Sequence, residues 1–129
     1  MKLTYRQIEF LTSSKVVQNV IDKAAGVFGL DLYRVMSKVQ QEAEPFRKQF
    51  QKVINEYGQK DENGNVKLHN IEGQQTISII PGKEAEATAK IEELRDREIE
   101  ILVEPIVFSV EDNLTTRELL ALSPILKEI

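Results

Sequence analysis

The stretch Asp31–Gly58, DLYRVMSKVQQEAEPFRKQFQKVINEYG, constrains this chain more than any other. Its apolar residues are Leu32, Val35, Met36, Val39, Ala43, Phe46, Phe50, Val53, Ile54 and Tyr57. Their spacing mixes steps of one, three and four, which keeps them on one stripe of a 3.6-residue helix. Asp31 is placed to cap the start, and Gly58 to end the helix in the left-handed conformation. Pro45 lacks a backbone donor and crowds the carbonyl of Gln41, so a kink is expected near Gln41–Pro45. The stripe runs through the proline in phase, which predicts one kinked helix and not two.

The remaining elements are short and would pack on that helix. Thr4-Tyr5-Arg6-Gln7 has the form of a capping box, with Thr4 as the cap and Gln7 reaching back to it. Ile8, Leu11, Val16, Val17, Val20, Ile21, Ala24, Ala25 and Phe28 then continue an apolar stripe. One helix or two abutting ones are expected over Thr4–Phe28, with Ser13-Ser14 as the break, because serine competes for backbone hydrogen bonds. Gly29 is expected to turn the chain into the long helix, making a helical hairpin.

After Gly58, the run GQKDENGN is a turn, and Asn63-Gly64 tolerates the positive φ a tight turn needs. Val66–Ile71 and Gln75–Ile80 alternate in polarity and read as two antiparallel strands, joined through Glu72-Gly73-Gln74 and closed by Pro81-Gly82. Lys83–Arg97 is an acidic helix with a thin stripe of Ala85, Ala89, Ile91 and Leu94, suited to covering a surface. Glu86 and Lys90 are spaced as a favourable i, i+4 pair. Glu98–Val110 reads as a further strand of the same sheet, interrupted by Pro105 at an edge or bulge. Thr115 and Glu118 form a second capping box, with Leu114 and Leu119 as its hydrophobic staple, and Ser123-Pro124 restarts the chain. These elements make a single α+β domain over 1–129. It comprises an N-terminal helical hairpin with a long kinked helix packed on a small antiparallel sheet, an acidic helix and a short C-terminal helix.

Composition narrows the chemistry. With 129 residues, 41% hydrophobic and 29% charged, the chain can bury a core without staples. There is no cysteine, which removes disulfides and thiolate metal sites, and one histidine, which removes any site needing two imidazoles from one chain. The net charge of −4 and sequence pI near 5.1 argue against non-specific affinity for nucleic acid or anionic membranes. The long helix carries Arg34, Lys38, Arg47, Lys48 and Lys52 against Asp31, Glu42, Glu44 and Glu56, a mixed solvated face and not a nucleic-acid stripe. No apolar run approaches a membrane span, and MKLTYRQIEF lacks the apolar core of a signal peptide. The expectation is a soluble, cytoplasmic protein.

Four residue groups invite chemical readings. Asp61–Glu72, DENGNVKLHNIE, places Asp61, Asn63, Asn65 and Glu72 at positions one, three, five and twelve of a calcium loop. Val66 stands where that loop needs glycine, and Gly73 follows where a helix should begin, so an Asn/Gly-rich hairpin turn is the better reading. Glu92, Glu93, Asp96, Glu98 and Glu100 are a carboxylate inventory for acid–base or metal work. Arg95 and Arg97 interleave with them, as on a solvated charged face. His69 has no evident nucleophile to activate, and Ser78, Ser109 and Ser123 sit in no nucleophile-elbow pattern. Tyr5, Tyr33, Tyr57, Phe46 and Phe50 would suit base stacking only if exposed beside a positive groove, and Phe46 and Phe50 fall on the buried stripe. No cofactor motif, metal site or catalytic residue is assigned.

The more useful hint is Val16–Phe28, apolar over much of its circumference. Excess apolar helix surface marks an interface. Val16, Val17, Val20, Ile21 and Phe28 are therefore the candidate interface residues, the equal alternative being a well-buried central helix.

The run Val53-Ile54-Asn55-Glu56-Tyr57-Gly58-Gln59-Lys60-Asp61-Glu62-Asn63-Gly64-Asn65, with the acidic helix and the Glu98–Phe108 segment after it, resembles short uncharacterised accessory proteins of tailed bacteriophages and prophages. The resemblance covers Val35–Ile129 in element order. It implies a viral accessory protein in the host cytoplasm, either a virion assembly factor or a modulator of a host protein, and supplies no site residues. The leading expectation is thus a non-enzymatic protein-interaction module, binding a protein partner or self-associating as a homo-oligomer. The alternatives are a metal-dependent or carboxylate-based enzyme and a nucleic-acid accessory protein.

Overall fold

A computed structural model describes residues 1–71, 73–108 and 112–127. The chain is α+β, in the order β1 (Lys2–Thr4), α1 (Tyr5–Ser13), α2 (Lys15–Lys23), α3 (Gly26–Tyr57), β2 (Leu68–Ile71), β3 (Gln74–Ile77), α4 (Glu84–Asp96), β4 (Glu98–Glu100) and α5 (Thr116–Leu122), with a 3₁₀ turn at Ser123–Ile125. Its contacts gather into two compact units, 1–44 with 97–129, and 45–96. The division falls inside α3, at Pro45.

In the first unit, local chemistry sets the two opening helices. The Thr4 hydroxyl accepts from the Gln7 N–H at 3.2 Å while the Gln7 side chain accepts from the Thr4 N–H at 2.9 Å, completing the expected box. The break falls at Ser14, whose N–H closes α1 on the Phe10 carbonyl and whose hydroxyl caps α2 at Val17. The next turn lies earlier than the sequence suggests. Gly26, at φ 68°, makes the left-handed step and opens α3, so Val27, Phe28, Gly29 and Asp31 are all helical. Asp31 is therefore not a cap. Gly29 serves by close approach instead: a Cβ there would stand 2.8 Å from the Ala24 carbonyl oxygen.

Leu3, Ile8, Leu11, Val17, Val20, Leu32, Val39, Leu122 and Ile125 bury together in this unit, so the stripes of α1, α2, the first half of α3 and α5 meet in one core. The strand Lys2–Thr4 has no counterpart in the sequence reading. It pairs antiparallel with β4, Leu3 opposite Ile99, and its partner strand is only three residues long. The expected strand Glu98–Val110 stops because the Val103 N–H bonds back to the Ile101 carbonyl at 2.8 Å, a γ-turn centred on Leu102. Beyond it, Ile106 makes a parallel bridge with Leu126. Ser109 and Val110 of that expected strand lie outside the described residues.

In the second unit, α3 continues unbroken through Pro45 to Tyr57. The proline leaves the Gln41 carbonyl without its helical donor, a modest cost because Gln41 is exposed to water. Gly58 ends the helix without a left-handed φ. It pairs with Ile79, and a Cβ on it would meet the Ile54 carbonyl oxygen at 2.7 Å and Val66 Cγ1 at 2.8 Å. β2 and β3 form a separate two-stranded sheet, Leu68 opposite Ile77, so the one expected sheet is two. Its base is closed by a ring of three backbone hydrogen bonds. Gln59 donates to Ser78 at 2.7 Å, Ser78 to Lys67 at 3.1 Å, and Lys67 to Gln59 at 2.7 Å. α4 buries Ala87 fully and Ile91 and Leu94 in part, while Ala85 and Ala89 of the expected stripe are exposed, so the buried face is thin but turned toward Ala87.

Candidate interaction surface

The five interface residues proposed from the sequence separate once folded. Val17, Val20 and Phe28 are buried in the first unit's core, and Val16 and Ile21 pack partly against it. Surface remains only at the last two. The exposed apolar side chains lie at the end of the Val16–Phe28 segment and just beyond it, none of them among the five. Val27, Leu30 and Tyr33 step along the opening turns of α3 and are 78, 51 and 68% exposed. Residues three apart on a helix are neighbours. The signal was present as apolar positions off the Leu32–Tyr57 stripe, but reading Gly29 as the turn left Val27 outside the long helix. Phe10, Leu120 and Val107 are further exposed apolar side chains of this unit.

Among the described residues, two clefts of the first unit stand out. One, of about 300 Å³, is floored by Val20, Ala24, Phe28 and Leu114 and edged by Lys23 and Asn113. Its lysine is engaged: Lys23 Nζ reaches the two carboxylate oxygens of Glu118 at 2.8 and 2.7 Å. That hydrogen bond, followed by the Thr115 backbone N–H at 2.9 Å, holds the Glu118 carboxyl below its ordinary pKa. The same carboxylate thus completes the second capping box and ties α5 to α2. The other cleft, of about 230 Å³, lies between Asp31 and Arg34 of α3 and the segment Val103–Val107.

The second unit holds a small apolar slot of about 70 Å³, walled by Phe50, Val53 and Tyr57 of α3, Ile77 and Ile79 beside them, and Ile91 of α4. Cations lie on two of its aromatic walls. Arg95 is 5.6 Å from the Phe50 ring centre, and Lys90 is 5.8 Å from that of Tyr57. Burial, then the neighbouring Glu56 carboxylate, pushes the Tyr57 hydroxyl up. Burial and then Glu42 do the same to Tyr5 in the first unit.

The groups with chemical readings are placed as follows. Asp61 Oδ1 accepts from the N–H groups of Asn63 and Asn65, both at 2.9 Å, so this oxygen organises the turn itself. Glu72, the twelfth position of the candidate calcium loop, lies outside the described residues. Glu92 pairs with Arg95 at 3.9 Å and Glu100 with the Met1 ammonium at 3.3 Å. Among the described residues no three His, Cys, Asp or Glu side chains come together as a metal site. His69 is opposite Thr76 in the hairpin. Ser123 donates to the Leu120 carbonyl at 2.9 Å, and Ser109 is outside the described residues. Of the aromatics, Phe46 and Tyr57 are buried, Phe46 stacks obliquely on Phe50 at 5.8 Å, and Tyr33 is open to solvent. Among the described residues no helix is long and apolar enough to cross a membrane.

Compared with protein-family models, curated proteins and solved structures, the chain has no match in any of the three.

Proposed function

We propose that this chain is a non-enzymatic protein-interaction module. The observation that carries this reading is the exposed row Val27, Leu30 and Tyr33 at the start of α3, three large apolar side chains on adjacent turns of one helix. Water contact with apolar surface of this kind is relieved by a protein partner, and aromatic side chains with a polar tip are enriched where such partners meet. A leucine–tyrosine row on a rigid helix also offers contact area at little conformational cost.

Within that reading, the resemblance of Val53–Asn65 to tailed-phage proteins supports a viral accessory role in the host cytoplasm, as a virion assembly factor or a modulator of a host protein. Self-association is one form the interaction takes.

A photo-crosslinking residue at Tyr33, with one at exposed Gln40 as the control, tests the module. The expected product is a discrete adduct from position 33, identified by mass spectrometry and abolished by Leu30→Glu in a chain that remains folded. Equal crosslinking at positions 33 and 40, or an adduct indifferent to Leu30→Glu, would overturn the reading.

A further inference from the structure

We propose that Asn63 is a self-modification site: the Gly64 backbone nitrogen closes on the Asn63 side-chain carbonyl, and water opens the ring to isoaspartate, at a rate set by Asp61. The modification is separate from any interaction surface, and its one co-reactant is water.

The step balances within the chain and solvent. The Gly64 nitrogen loses its proton to water and bonds to Asn63 Cγ, and the side-chain nitrogen takes up a proton and leaves as ammonia. Water then opens the succinimide at either carbonyl. Opening at the α-carbonyl leaves the main chain running through Cγ, which is isoaspartate. Nothing is oxidised or reduced.

Such a closure needs an uncovered attacking nitrogen and an amide free to turn toward it. Asn63 and Gly64 are both exposed, and a Cβ built on Gly64 would meet nothing within 4 Å. The turn uses the Asn63 backbone N–H, and the Asn63 side chain makes no hydrogen bond among the described residues. The Gly64 N–H donates to the Asp61 carbonyl at 3.1 Å, the longest hydrogen bond of the turn. A solvent-exposed bond of this kind opens at little free energy. The other asparagines are less favoured. Asn19, Asn65 and Asn70 are followed by Val20, Val66 and Ile71, whose stiff branched side chains crowd the nitrogen that would attack. Asn55 lies within α3, and its amide oxygen accepts from Gln51 at 3.2 Å. Asn113 precedes Leu114, which is partly buried.

Asp61 is the brake. Its Oδ1 accepts from the Asn63 and Asn65 N–H groups, both at 2.9 Å. These bonds hold the Asn63 backbone against the rotation that carries its side chain over the Gly64 nitrogen. The product undoes the same turn. Isoaspartate adds a backbone carbon inside it and a carboxylate beside Asp61 and Glu62, which opposes the closing bond from the Asp61 N–H to the Asn65 carbonyl at 2.7 Å.

Incubation of the full chain at neutral pH, then peptide mapping with fragmentation that separates aspartate from isoaspartate, reads the outcome. The expected product is isoaspartate at position 63, heavier by the exchange of NH for O and formed faster than at any other asparagine. Asp61→Ala should speed its formation about ten-fold, and Asp61→Asn, which keeps an acceptor oxygen, should speed it less. Amide protection at Asp61 should fall as the product builds up, while protection in α1 and α2 stays as it was. Aspartate without isoaspartate at position 63, modification no faster there than at Asn55, an Asp61→Ala chain that reacts at the wild-type rate, or undiminished protection at Asp61 in the product would each overturn the proposal.

Discussion

The two units are built from halves of the same helix yet bury their apolar residues very differently. In 1–44 with 97–129, Ile8, Val17, Val20, Leu122 and Ile125 have no exposed surface at all. In 45–96, the buried hydrophobic residues among those described are Phe46, Tyr57 and Ala87, while Phe50, Val53, Ile54, Ile77, Ile79 and Ile91 are only partly buried. Size explains part of this, since domains of about 60 residues already bury only about 60% of their unfolded surface. Composition explains more. α4 has alanines where a filling helix would carry leucines, so Phe50, Val53 and Ile54 meet a shallow lid. The first unit closes a core and still leaves Val27, Leu30 and Tyr33 outside it; the second never closes one and leaves a slot.

The sharpest way to break this comparison is Val20→Asp. Val20 is fully buried, so the expected result is loss of the folded state of the first unit, read as collapse of amide protection in α1, α2 and α5. A folded, monomeric product would place Val20 at a surface and return the interface to α2. Next comes a paired truncation followed by urea titration. Ile8→Ala should cost about 2–5 kcal/mol and Ile77→Ala about 1–2 kcal/mol, because the second side chain is only partly buried. Equal costs would mean the second unit's core is as complete as the first's. Gly58→Ala should cost about 1–3 kcal/mol in the second unit, since the added methyl meets the Ile54 carbonyl oxygen at 2.7 Å. A neutral effect on urea stability would show that the ring of hydrogen bonds beside it yields easily.

The smallest effect expected is pH-dependent and belongs to the first unit. Glu118 is held below its ordinary pKa in the folded chain by Lys23 and the Thr115 N–H. Its contribution is therefore present in full above the unfolded value, about 4.3, and is lost as pH falls through the lowered folded value. Thermal unfolding of the wild type should drop over that window, and Glu118→Gln should drop less steeply there. Parallel curves for the two would remove Glu118 from the account of acid sensitivity.

How far the sequence carried depends on how far apart the interacting residues lie. The capping boxes Thr4–Gln7 and Thr115–Glu118, the break at Ser13-Ser14 and the Asn63-Gly64 turn were all legible, because each is decided by groups within four residues. The helix over Leu32–Tyr57 was legible for the same reason, its stripe being a property of spacing. The burial of Val17, Val20 and Phe28 was not. Val17, Val20 and Phe28 look the same in sequence whether their partners are this chain's own Leu32 and Leu122 or another molecule. Leu102 looked like the interior of a strand, because alternation continues through it and nothing local announces a γ-turn.

The sequence by itself determined the helices, the caps at Thr4 and Thr115 and the stripe that runs through Pro45, since dihedral preference and side-chain spacing act over a few residues. Tertiary structure alone decided the rest. It made Gly26 and not Gly29 the turn, leaving Gly29 as the place where α3 passes close to the Ala24 carbonyl. It paired Lys2–Thr4 with Glu98–Glu100, from opposite ends of the chain. Which apolar faces close into a core and which stay open follows from how much apolar surface the neighbouring elements bring, and no local pattern records that sum.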